Sequence, residues 1–74
     1  MKKIFEKIIS ICYEETSPQF LSEIASIEDT ANKSEDYINS IEEVIEVISI
    51  FPDDISAETQ NRIQEIYEDS VDIF

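Results

Sequence analysis

The chain has 74 residues, with eighteen Asp and Glu against five Lys and Arg and a formal charge of −13 at pH 7. A chain this short supports one domain whose core is only just large enough to hold a fold, so a single helical domain over residues 1–74 is expected, with little room for an enzyme cleft. With no His, no Gly and one Cys, it lacks Ser-His and Cys-His nucleophile pairs, phosphate-cradling glycine loops, an internal disulfide and a zinc set, and neither catalytic residues nor a cofactor is expected.

The N-terminal stretch MKKIFEKIISICY places lysines before apolar residues, as a secretory signal does, but Glu6 and Lys7 interrupt the apolar run and no small-residue cleavage site follows. Ile4, Phe5, Ile8, Ile9, Ile11 and Cys12 fall mostly at intervals of three and four, predicting a first helix over about 2–13 with Cys12 as a buried structural thiol. Ser17-Pro18 supplies a cap and a first helical residue whose missing N–H costs nothing there. The second helix runs to about residue 31, with Phe20, Leu21, Ile24, Ile27 and Ala31 inward. Asn32-Lys33-Ser34 breaks the pattern, and Ser34 followed by Glu35-Asp36 reads as a cap and two carboxylates at the positive end of a third helix. Its buried stripe is expected at Tyr37, Ile38, Ile41, Val44, Ile45 and Ile48, and Pro52 ends it near Ile50. Ser56 caps a fourth helix over about 57–72, with Ile63, Ile66, Tyr67, Ser70, Val71 and Phe74 inward. These elements predict an all-α fold, a small antiparallel four-helix bundle. No run approaches the roughly 18 uncharged apolar residues of a membrane span, and the expectation is a cytoplasmic chain, without membrane contact, that is monomeric when free.

The acids are distributed unevenly. Residues 1–13 hold Lys2, Lys3 and Lys7 against Glu6, whereas residues 14–74 hold seventeen acids against Lys33 and Arg62. Direct binding to nucleic acid draws its affinity from Lys and Arg, so a basic protein partner is expected instead. On the third helix Glu35, Asn39, Glu42 and Glu46 follow one another at intervals of four, three and four with Glu43 alongside, and Asp53 and Asp54 come just after it. On the fourth, Glu58, Glu65, Asp69 and Asp72 form a second row beside Glu68. Glu42 with Glu46, Glu65 with Asp69 and Glu68 with Asp72 are like-charge pairs at i,i+4, each costing about 0.2–0.5 kcal/mol. An acid row of this kind usually keeps a protein soluble. Two bases among 61 residues is few for that role alone, and carboxylates one helical turn apart lie at a spacing close to that of phosphates on a strand. The partner-binding residues expected on these grounds are Glu35, Glu42, Glu43, Glu46, Asp53 and Asp54, with Tyr37 as an aromatic at the core edge.

The segment FEKIISICYEETSPQFLSEIASI, residues 5–27, resembles the first two helices of colicin-type and pyocin-type DNase immunity proteins: an apolar helix ending in Ile11-Cys12, a polar turn with Thr16-Ser17, and an acid-bearing second helix. The resemblance implies a small acidic four-helix protein that binds and blocks a nuclease toxin. It carries over only Glu23 and Glu28, because the adjacent tyrosines of that family's third helix have no counterpart here. Helical immunity proteins of contact-dependent inhibition systems fit equally. Two other readings share the same chemistry or dispense with it: a phage-made nucleic-acid mimic that blocks a restriction or CRISPR nuclease, and a helical adaptor subunit with no tight basic partner.

Overall fold

A computed structural model describes residues 2–71, with side chains as far as Asp69. Four helices make up the fold: α1 (Lys2–Cys12), α2 (Pro18–Ser34), α3 (Tyr37–Ile50) and α4 (Ala57–Val71). The ends follow from capping chemistry. Ser17 is extended, with φ −69° and ψ 117°, and its Oγ accepts the Phe20 N–H, while Ser56 Oγ accepts the Thr59 N–H at 3.2 Å.

The α2–α3 junction differs from the sequence expectation. Helix α2 continues through Ser34, whose hydroxyl turns back to the Thr30 carbonyl at 2.9 Å. Asp36 is the N-cap of α3, its carboxylate accepting the Asn39 N–H and, at 2.6 Å, the Asn39 side-chain amide. A carboxylate answers the positive end of a helix better than a hydroxyl does, so Asp36 displaces Ser34. Between them Glu35 takes the left-handed conformation, φ 59° and ψ 18°, and its N–H closes on the Ala31 carbonyl. Glycine is the usual residue there; this chain has none and places Glu35 at a cost of about 1 kcal/mol.

Among the described residues α1 packs on α2, α3 and α4, and α3 packs on α1, α2 and α4, whereas α2 and α4 do not touch. The α1–α3 pair is therefore the centre of the fold. Phe5, Ile8 and Cys12 from α1, Phe20 and Ile24 from α2, Val44 from α3 and Ile63 from α4 are sealed from solvent, and Ile55 closes the core from the turn before α4. The radius of gyration, 11.3 Å, is the value of about 11 Å expected for a folded chain of this length.

The stripe of α3 is also rotated from expectation. Ile38 is 47% exposed, and Ser40 and Val47 are buried with Ile41, Val44 and Ile48, while Ile45 is half-buried. Leu21, Ile66 and Tyr67, expected inward, are half-buried. Ser40 can face the core because its hydroxyl donates to the Asp36 carbonyl at 2.8 Å, which removes the cost of burying it. The inward side chains expected at Ser70, Val71 and Phe74 lie outside the described residues.

Candidate functional site

Rotation of α3 decides what that helix shows to solvent. With Ser40, Ile41, Val44, Val47 and Ile48 turned inward, the i,i+4 row on the far side reads Ile38, Glu42, Glu46, Ile50. All four are exposed, Ile50 by 63%. Glu43 and Asn39 are exposed beside them. Such a row is a ridge of the kind that packs into a groove on a partner, here about 18 Å from its first residue to its last at 1.5 Å per residue. Its centre is two carboxylates and its ends are two isoleucines.

Nothing within the described chain neutralises that ridge. Lys33 pairs with Asp29 at 3.0 Å and Arg62 with Glu14 at 3.1 Å, and among the described residues no base reaches a carboxylate of α3. Asp53 and Asp54 are exposed in the turn that follows, and Glu35 is exposed in the turn that precedes. Tyr37 is half-buried, its ring centroid 5.5 Å from that of Phe5, so its ring is part of the core edge.

The remaining acids lie on other elements. Glu23 is exposed on α2, but Glu28, five residues on, is turned about 140° around the helix and accepts the Tyr13 hydroxyl at 2.8 Å. Glu58, Glu65, Glu68 and Asp69 are exposed on α4, with Gln64 donating to Glu68; Asp72 lies outside the described residues. Among the described residues no group of three or more His, Cys, Asp or Glu is arranged to hold a metal ion, and no helix is long and apolar enough to cross a membrane.

One acid has a structural role that the sequence did not signal. Glu15, in the α1–α2 turn, accepts the Ser56 N–H at 2.7 Å through one oxygen and the Thr59 hydroxyl at 3.2 Å through the other. It caps the start of α4 across 41 residues of chain, where the helix dipole favours a negative charge. Replacing Glu15 by Ala is expected to cost about 1.5–3 kcal/mol in lost charge-assisted hydrogen bonds and to lower Tm by roughly 10 °C. A melt by circular dichroism unchanged within about 2 °C would remove that role.

Cys12 is a free, fully buried thiol. Burial, and then the nearby Glu15 charge, push its pKa up to about 12, and burial with the Glu28 hydrogen bond raises the Tyr13 hydroxyl to about 12. In the unfolded chain a thiol ionises near 9, so between pH 9 and 12 the unfolded state sheds a proton that the folded state keeps. Stability is then expected to be unaffected by this thiol below pH 9 and to fall above it, with a limiting slope of about 1.4 kcal/mol per pH unit. Urea melts at pH 7, 9 and 10.5 on the wild type and Cys12→Ala check this: the loss between 9 and 10.5 should be smaller in the variant, and equal losses would contradict it.

Compared with known proteins, the chain matches no family model, no curated protein and no solved structure.

Proposed function

We propose that this chain is an immunity- or antitoxin-type inhibitor that binds a basic protein, a nuclease toxin foremost, through the outward ridge of α3. The observation that carries the reading is the ridge itself, two unpaired carboxylates flanked by two exposed isoleucines. Exposed isoleucine gains only when covered, and unpaired like charges one turn apart repel until a cation lies between them. Both terms favour one event, the arrival of a basic surface with apolar contacts. Arginine forks that grip phosphate grip carboxylate with similar geometry, so the nucleic-acid site of a nuclease is the surface that fits best.

Capture from the native cell tests this, with the tagged chain as bait washed at low and then high salt. One basic protein, retained at low salt and encoded beside this chain, with nuclease activity that stoichiometric bait abolishes, is the expected result. A nuclease encoded elsewhere and blocked in competition with DNA would make the chain a nucleic-acid mimic instead. An empty eluate would return it to a helical adaptor.

A further inference from the structure

Helices α1 and α2 leave a groove of about 460 Å³ between them, within the 300–1,000 Å³ typical of sites for small ligands. None of its lining residues belongs to the α3 ridge. Phe5 and Ile9 lie beneath it, both buried, Glu6 on α1 and Glu28 on α2 flank it, and Ser10, Tyr13 and Asn32 complete its lining. Tyr13 is 45% exposed, and its hydroxyl fixes one oxygen of Glu28, leaving the other without a hydrogen bond among the described residues. Neither Glu6 nor Glu28 has an ion-pair partner among the described residues.

We infer that this groove receives an arginine side chain of the basic partner. The inference rests on the reading that such a partner exists, but not on the ridge of α3 being its docking surface. Arginine is the side chain whose parts match the walls. Its planar guanidinium stacks on an exposed tyrosine and forks to a carboxylate held in place, where the compact, strongly hydrated ammonium of lysine does neither well. The tyrosine–glutamate hydrogen bond prepares both contacts, because it orients the carboxylate and holds the ring beside it.

The test titrates the isotopically labelled full chain with acetyl-arginine methylamide and, separately, with its uncharged isostere acetyl-citrulline methylamide, following backbone amide shifts. Saturable shifts at Ser10, Tyr13, Glu28 and Asn32 with the arginine compound, and none with citrulline, are expected. Glu6→Gln with Glu28→Gln should weaken that binding about fivefold or more, the value of two surface ion pairs, with helicity unchanged. Glu42→Lys with Glu46→Lys should leave it as it was. Equal shifts from citrulline, or arginine shifts that are linear and no larger in the groove than at Glu42 and Glu46, would overturn the inference. A silent groove in a chain whose partner binding still depends on Glu42 and Glu46 sinks the groove alone; a responsive groove in a chain indifferent to those two sinks the ridge alone.

Discussion

Phe20→Ala should lower the melting temperature by at least about 15 °C, or leave the chain unfolded at 37 °C. Phe20 is fully buried at the start of α2, and its N–H is the one capped by Ser17, so the ring anchors the start of that helix. Truncating a buried Phe to Ala costs about 3–5 kcal/mol. A domain of this length has a total stability of roughly 4–11 kcal/mol, and each kcal/mol moves Tm by about 4–8 °C at this size. The contrast is Ile38→Ala, which the exposure of that side chain limits to about 0.5 kcal/mol. Thermal melts of the two variants side by side check the orientation of α3. A loss of 2 kcal/mol or more at Ile38 would mean that the helix packs by the stripe its periodicity suggested, and that the ridge is misplaced.

That contrast marks where the sequence was legible. Helix starts at Pro18 and Ala57 and the stop before Pro52 are written in local chemistry, a hydroxyl cap or a proline, and they hold. The α2–α3 junction is not legible in the sequence, because Ser34 and Asp36 are both competent caps two residues apart and the choice depends on Glu35 accepting a left-handed backbone. In α3, apolar residues occupy 37, 38, 41, 44, 45, 47, 48 and 50, nearly all the way round, so periodicity could not choose among several rotations. Packing against α1 and α2 chose, burying Ser40 and Val47 and leaving Ile38 and Ile50 outside. The carboxylates at 42, 43 and 46 were legible because nothing basic is near them in sequence; the isoleucines that flank two of them were not. The Glu15 cap of α4 and the pairing of Tyr13 with Glu28 join residues 41 and 15 apart, and no local pattern announces either.

Reversing Glu42 and Glu46 to Lys should slow association with the proposed basic partner by about 10- to 100-fold at low salt, within the range that electrostatic steering supplies. The net charge moves from −13 to −9, two reversals of two units each. The larger effect is local, because the carboxylates at the centre of the ridge are replaced by charges that repel the approaching surface. Helicity should hold, since one like-charge i,i+4 pair replaces another and both positions are exposed. Dissociation should change less, being set by the apolar contacts of Ile38 and Ile50. Screening shortens the reach of charge to about 3 Å at 1 M salt, so the wild-type and reversed rates should converge there.

Stopped-flow association of the captured basic protein with the wild type and with the Glu42→Lys, Glu46→Lys variant, across 50 mM to 1 M salt, tests the α3 ridge most directly. Two rate curves about 10- to 100-fold apart at low salt and merging at high salt are the predicted result. Curves that coincide at every salt concentration, from two equally helical proteins, would show that the partner docks elsewhere.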